Sequence, residues 1–382
     1  MDKFSINWQF IENGKVAESG TLPPISLEPN EKGELKIPFE KNLLSDKEYF
    51  ITLYFSIKED ETWAEKGHIV ANEQFALTPR QEIIFNAPVG HRKLISAINN
   101  KELTLEGTNF KVIFDTLTGV LKSLNYEGQD VIFNDEGLKL NWYRNISNDG
   151  YADRTYYKTQ YAQSSFNYFE SQNGQKVTIT SMVNAKLNND VGTVLPYTLV
   201  YTVLSNGRIK IDGTFESPPE GEIIHRLGLQ MQLNPKLENV TWYGKGPFEN
   251  YSDRKTGAFV GIYNSTVEDM ATEHYLRSQS MGNREDIRWL QLTDSEGKGI
   301  NIRTNDPLSF SALHYDDPSL WEEVKHNSDL KEVWKPQTFL NLDRIQEGVG
   351  NASCGPITLD KYRIAPDSQF KYSLIIEPLS NK

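Results

Sequence analysis

The stretch YTLVYTVLSNGRIKIDGTFE, residues 197–216, indicates the fold class of this 382-residue chain most directly. Apolar side chains stand at every second position before the turn: Tyr197, Leu199, Tyr201 and Val203. That period of two is typical of a strand with one buried face. Asn206-Gly207 is a typical two-residue hairpin turn, and the alternation resumes from Ile209 to Phe215. The stretch therefore predicts an antiparallel β-hairpin.

Similar patterns run along the rest of the chain. Residues 4–22 alternate around Asn13-Gly14, residues 48–57 are a dense run of β-forming residues, and residues 110–133 read as further hairpins. Helical patterns are scarce, and the best candidate for a helix is residues 318–330, which begin with a proline. Because strands and helices do not alternate, we exclude a (βα)₈ barrel and a doubly wound nucleotide-binding fold. The sequence predicts an all-β protein.

The spacing of the strands predicts two domains. Residues 1–85 have the length and turn spacing of one compact β-sandwich. Residues 86–101 resemble an extended connector. Residues 102–382 contain too many strands for one small sandwich, and a large two-sheet supersandwich would accommodate them.

Composition excludes some functions and leaves the compartment open. The chain has 40 basic and 52 acidic residues, a net charge of −12, which argues against nucleic acid or an anionic membrane as a partner. The single cysteine, Cys354, allows no intrachain disulfide. No apolar run reaches the length of a membrane span, and the first residues show no signal peptide. We expect a cytoplasmic or periplasmic protein, or a piece whose natural start lies upstream.

Two stretches combine turn residues with charged and aromatic side chains. WYGKGPFENYSDRKTG covers residues 242–257, and YLRSQSMGNREDIRWLQL covers residues 275–292. Glycines and a proline in the first stretch predict a rigid loop rather than a strand. The charged side chains form either a buried network that braces loops or the polar rim of a pocket for a hydroxyl-rich ligand. The rim candidates are Glu249, Arg254, Asn283 and Arg284. The six histidines are scattered and show no zinc spacing, so we predict no metal site.

Several motifs in one order resemble a known family. WYGKGPFENYSDR is similar to the W-x-G-x-G-P-x-E-N-Y-x-D-R signature of the C-terminal domain of glycoside hydrolase family 2 β-galactosidases. YLRSQSMGNREDIRW, HRLGLQMQL, FSALHY and GVGNASCGP resemble further segments of that domain, and NWYRNISNDG resembles its N-D loop. Residues 1–85 resemble the immunoglobulin-like domain that precedes it. The resemblance implies a galactose-mutarotase-like supersandwich.

The resemblance also implies what the chain does in a longer enzyme. The family hydrolyses β-galactosides with retention, using two glutamates on a barrel that precedes these two domains, so we expect no catalytic residue here. This piece would complete the pocket for a galactoside and support assembly of a homo-oligomer. Mg and Na would bind in the barrel, with no cofactor in this piece. The matching pocket candidates are Asn148, Asp149 and Cys354. Cys354 stands where the best-known member has a tryptophan that stacks on the sugar, and cysteine offers no such face.

Three alternatives remain open from the sequence. The chain is a natural small subunit of a two-chain β-galactosidase, a separate carbohydrate-binding protein, or a mutarotase-like enzyme. The last needs an acid and a base near the sugar ring, for which His225, His314, Glu249 and Asp149 are candidates.

Overall fold

The computed structural model describes residues 3–28, 30–86, 88, 92–99, 101–146, 158–188, 192–218, 220, 224–271, 275–324, 326–350 and 358–379. Nearly all regular structure in these residues is β-strand, which confirms the all-β prediction. The chain divides into two compact units. One contains Met1–Glu82 and Thr256–Ile262, and the other contains Ile83–Lys255 and Tyr263–Lys382.

The first unit is built on an antiparallel four-stranded sheet in the order β2-β1-β3-β4. Its strands are β1 (Phe4–Glu12), β2 (Lys15–Leu22), β3 (Tyr49–Ile57) and β4 (Ile69–Ala76). The predicted turn at Asn13-Gly14 is confirmed, with φ values of 47° and 81°. The alternating side chains of β1 form the core with β3, and side chains of the strand-free segment 23–48 pack against that core.

Three further sheets are formed by residues of the second unit, except that residues 259–262, the start of one edge strand, are grouped with the first unit, and buried side chains of these sheets form one hydrophobic cluster. A five-stranded sheet runs in chain order through β5 (Ile95–Ile98), β6 (Glu102–Glu106), β7 (Phe110–Asp115), β8 (Leu121–Tyr126) and β9 (Gln129–Asp130). Strand β5 lies inside the predicted connector 86–101, so that segment is not uniformly irregular.

The largest sheet has nine strands. In spatial order they are β11 (Gln160–Glu170), β12 (Lys176–Lys186), β13 (Val194–Leu204), β14 (Ile209–Glu216), β22 (Gln369–Leu379), β19 (Gly299–Thr304), β18 (Trp289–Thr293), β16 (Asn239–Gly246) and β17 (Phe259–Thr266). The hairpin at Asn206-Gly207 is confirmed, because Tyr197 pairs with Phe215 and Val203 with Ile209. Tyr197, Phe215 and Tyr372 then stack in a row on its buried face.

A four-stranded sheet completes the second unit. Its order is β10 (Lys139–Asn141), β15 (Arg226–Leu233), β21 (Thr338–Gln346) and β20 (Ser309–Leu313). Side chains from all three sheets share the cluster, so the unit is a layered β-sandwich.

The helix predicted over residues 318–330 is wrong in extent. Helix α1 covers only Asp317–Glu322, and 3₁₀ helices cover Asn327–Glu332, Glu268–Met270 and Asp360–Tyr362. Asp316 caps α1 by accepting a hydrogen bond from the Ser319 amide at 2.9 Å. His326 has an extended backbone, which separates α1 from the following 3₁₀ helix. In the described part of the chain, no helix is long and apolar enough to cross a membrane.

Candidate functional site

The first of the two motif-rich stretches is half strand and half loop. The prediction of a loop throughout is wrong, because Trp242–Gly246 complete strand β16. The loop begins at Pro247, which follows a cis peptide bond. Gly246 is required at the strand end, because a Cβ there would lie 2.7 Å from the Tyr263 ring. The close packing of this strand end fixes where the following loop starts.

Glu249 is the centre of the loop that follows β16. One of its carboxylate oxygens, Oε1, accepts hydrogen bonds from the Arg254 guanidinium and the Tyr275 hydroxyl. The other oxygen, Oε2, accepts one from the backbone amide of Gly282 at 2.6 Å. The Glu249 side chain is only 8% exposed, so these charge-assisted bonds form away from bulk water. Glu249 therefore joins the loop after β16 to both ends of the segment 275–282.

Asn283 braces two loops from inside rather than lining a rim. Its side-chain amide donates to the Asn250 carbonyl at 2.7 Å, and the Asn250 amide donates to the Asn283 carbonyl at 2.9 Å. The Asn250 side chain accepts from the Glu285 amide at 3.0 Å. Both asparagines are fully buried. Asn283, predicted as a rim residue, is thus buried between the loops, and its side-chain oxygen accepts a hydrogen bond from the Gln346 side chain at 2.9 Å.

Arg284 lies between the paired residues Asn250 and Asn283 and an open groove. Its Nε donates to the Pro247 carbonyl at 2.9 Å, and its guanidinium lies 5.5 Å from the centroid of the Trp242 ring. Burial lowers the pKa of Arg284 to about 10, and the neighbouring Glu249 carboxylate opposes that change. Arg284 consequently remains charged at neutral pH and holds the start of the loop.

A groove of about 900 Å³ opens beside this cluster. Phe248, Glu249 and Arg254 line one side, and the 3₁₀ turn 268–270 and the segment 328–331 line others. Three cationic and three anionic residues contribute to its walls: Arg254, Arg284, Lys331, Glu249, Glu268 and Asp269. Three of the predicted rim residues therefore do line one groove. The volume falls within the range of about 300–1,000 Å³ that is common for small-molecule sites.

Asp253 holds a second segment, residues 348–350. Its carboxylate accepts hydrogen bonds from the Val349 amide at 3.0 Å and the Gly350 amide at 2.8 Å. Arg144 donates to the carbonyls of Glu347 and Gly348 at 2.6 and 3.0 Å. The chain then continues toward Cys354, which, like Asn148 and Asp149, lies outside the described residues.

A buried ionic triad that no sequence pattern predicted lies between β15, β21 and α1. Arg226 is 2.9 Å from the Asp317 carboxylate and 3.2 Å from the Asp343 carboxylate. All three side chains are at least nine-tenths buried. Burial raises the pKa of Asp343 to about 6, while Arg226 acts to lower it. Arg226 stands in the HRLG motif, but nothing in the sequence indicated which carboxylates it meets.

The histidines do not come together as an acid–base pair. His225 pairs with Glu347 at 2.7 Å, whereas His314 pairs with Glu238 at 3.0 Å. Across the described ranges, no group of three His, Cys, Asp or Glu residues is arranged to hold a metal ion.

Comparison with known protein families decides the relationship of this chain. The family model described as β-galactosidase small chain matches residues 106–376. The chain belongs to this β-galactosidase family. A second family model, β-galactosidase domain 4, matches residues 1–78. The resemblance expected from the motifs is thereby confirmed.

Curated relatives of this β-galactosidase family member support the same relationship. The β-galactosidase of Priestia megaterium (strain DSM 319 / IMG 1521) is 29% identical over 99% of this chain and 36% of its own length. That of Lactobacillus delbrueckii subsp. bulgaricus is 26% identical over 96% of this chain and 36% of its own length. The chain thus spans little more than a third of these relatives.

Solved structures with a similar chain path include two sugar-related proteins. A galactose 1-epimerase from Lactobacillus acidophilus NCFM has a TM-score of 0.43 and 10% identity, over 76% of this chain and 99% of that protein. A putative mutarotase from Salmonella typhimurium has a TM-score of 0.40 and 12% identity, over 77% of this chain and 97% of that protein. Similarities this distant carry no inference about activity.

Proposed function

We propose that this chain is the C-terminal, non-catalytic part of a family 2 β-galactosidase that hydrolyses terminal β-D-galactosides with retention of configuration. The observation that carries the proposal is the family match over residues 106–376. The two catalytic glutamates then belong to a barrel in the part of the enzyme that this chain does not span. Any Mg or Na belongs to that barrel as well.

The carboxylates of the candidate site are arranged for bracing, which supports a non-catalytic role. A retaining glycosidase needs two carboxyl groups about 5–5.5 Å apart on either side of the scissile bond. Glu249 is occupied by two side-chain donors and one backbone amide. Asp317 and Asp343 are buried around Arg226. A carboxylate that is saturated with donors or sealed from solvent is poorly suited to attack a sugar or to protonate a leaving group.

The part that this chain plays is to complete the galactoside pocket and to support assembly of the full homo-oligomeric enzyme. Asp253 and Arg144 both bind the backbone of residues 347–350. Asp253 accepts from two amides, and Arg144 donates to two carbonyls. The backbone of residues 347–350 is thereby held at a defined place, and pocket contacts depend on such positioning. The residues that follow include Cys354, at the position where the family has its sugar-stacking aromatic residue.

The experiment is an assay of the purified chain with o-nitrophenyl β-galactoside. We expect no turnover above buffer, because the chemistry needs residues outside this chain. Turnover that co-purifies with the chain and is absent from an identical purification without the chain would overturn the proposal. A contaminating galactosidase would appear in both purifications, so the mock purification serves as the control.

A further inference from the structure

We propose that the groove beside Glu249 binds a neutral pyranose sugar, and that this chain binds it without any other domain. The described residues that line the groove all belong to the second unit. The inference goes beyond the proposed function, which requires a sugar contact only in the longer enzyme.

The charges of the groove favour a neutral ligand. Among the described residues that line it, three cationic and three anionic side chains balance, so their combined field favours neither a phosphorylated nor an amino sugar. Charged side chains nevertheless make strong hydrogen bonds to hydroxyl groups, which both donate and accept. Asp269 and Lys331 face the groove from two different 3₁₀ helices and offer an acceptor and a donor. A ligand rich in hydroxyl groups matches both features.

Phe248 provides an exposed aromatic face among the polar and apolar residues that line the groove. Its side chain is 52% exposed, although its loop neighbours Asn250 and Tyr251 are buried. The ring therefore stays in contact with water while the backbone around it is held by Glu249, Asn250 and Arg284. A pyranose has one face made of C–H groups, and covering the phenyl ring with that face removes apolar area from water.

One polar wall of the groove is held in place by its own hydrogen bonds, without any ligand. Glu249, Arg254 and Tyr275 hold one another, because the Tyr275 hydroxyl and the Arg254 guanidinium meet at 2.9 Å and both donate to Glu249. Side chains fixed in this way lose little conformational entropy on binding. Arg254 remains 50% exposed, so its guanidinium is accessible to a ligand in the groove.

The test is saturation-transfer difference NMR of the isolated chain with methyl β-galactoside. We compare the wild type with Phe248→Ala, Phe248→Tyr and the control Phe169→Ala. Phe169 is a 68% exposed phenylalanine on β11, at the opposite edge of the nine-stranded sheet from β16 and β17. Circular dichroism confirms that each variant is folded.

We expect transfer to the sugar with the wild type, Phe248→Tyr and Phe169→Ala, and at least a fivefold weaker affinity with Phe248→Ala, about 1 kcal/mol. Galactose 1-phosphate should bind no better than the neutral sugar. Absence of transfer with the wild type, or equal transfer with Phe248→Ala, would overturn the inference. Neither result bears on the proposed function, which predicts no hydrolysis by the isolated chain and restored hydrolysis when the chain is joined to the rest of such an enzyme.

Discussion

The Glu249 carboxylate accepts a hydrogen bond from the backbone amide of Gly282 at 2.6 Å, across 33 positions of sequence. The same carboxylate binds Arg254 and Tyr275. One side chain therefore connects both motif-rich stretches. The contact also explains why a charged residue is needed at a position with so little solvent exposure, since only a carboxylate accepts from all these donors.

Glu249→Gln should destabilise the second unit. A glutamine would turn an NH₂ group toward a neighbouring donor, leaving that donor unsatisfied in a buried place. We expect a loss of about 1–3 kcal/mol in the free energy of unfolding, measured by urea denaturation with tryptophan fluorescence. The control is Glu296→Gln. The Glu296 side chain is 69% exposed and pairs with Lys298, so this variant should lower the free energy of unfolding by less than about 0.5 kcal/mol. Equal effects of both variants would contradict the bracing role of Glu249.

Asp253→Ala should loosen residues 349–350 without unfolding the chain. The two amides that Asp253 accepts from would lose charge-assisted bonds worth about 1.5–3 kcal/mol each, so their hydrogen exchange should accelerate by about ten- to a hundredfold. Asp294→Ala is a matched control, because Asp294 accepts from two backbone amides in another loop, those of Glu296 and Lys298, each at 2.9 Å. It should leave the exchange of the Val349 and Gly350 amides unchanged. Unchanged exchange at Val349 and Gly350 in Asp253→Ala would show that other contacts hold this segment.

Arg226→Met should be the most damaging of these substitutions. Without the guanidinium, Asp317 and Asp343 remain buried side by side with no cation between them. Removing one partner of a buried ionic group costs about 3–5 kcal/mol. Arg303→Met, which removes a 39% exposed partner 3.9 Å from Glu377, should cost less than about 1 kcal/mol in the same urea experiment. A small effect of Arg226→Met at neutral pH would mean that the carboxylates take up protons at little cost.

His314 should make stability depend on pH. Burial alone lowers the pKa of His314, but its hydrogen bond to Glu238 and the charge of Glu238 together raise the pKa above the ordinary value. The Gln337 carbonyl accepts at the other ring nitrogen, Glu268 lies nearby, and the Trp334 ring packs at 4.9 Å. Both ring nitrogens therefore face acceptors, as the doubly protonated ring requires.

The sign of this pH dependence follows from the raised pKa. The stabilisation by the His314–Glu238 pair is fully present below about pH 6.5, the ordinary pKa of histidine, and is lost as pH rises through the folded-state pKa. The difference in unfolding free energy between the wild type and Glu238→Gln should therefore shrink above that pH. A histidine NMR titration measures the pKa directly, and a folded-state value below 6.5 would contradict the prediction.

Local patterns were enough to predict the strands but not the site. The hairpin at Asn206-Gly207 was predictable because its register depends on neighbouring residues and a two-residue turn. The cluster of Glu249, Arg254 and Arg284 was partly predictable because two short stretches contain it. The Arg226 triad was not, because it joins three elements distant in sequence. Asn283 was misplaced on a rim because a sequence does not show which way a loop side chain points.

The helix error has a comparable origin. The spacing of apolar residues in 318–330 suits one helix, but the extended backbone at His326 ends that possibility. A tertiary contact accompanies this end of the helix, because the His326 ring nitrogen Nδ1 lies 3.3 Å from the Leu276 carbonyl oxygen. Tertiary contacts override a weak local pattern in such short segments.

The most direct test of the central claim is a replacement in a relative. The matched third of the Priestia megaterium β-galactosidase is deleted in one variant and replaced by this chain in another, and hydrolysis of o-nitrophenyl β-galactoside is compared. If this chain completes the pocket of such an enzyme, the chimera should exceed the truncated enzyme at least about tenfold, a difference of 1.4 kcal/mol in barrier. A folded chimera with no more turnover than the truncated enzyme would contradict the claim.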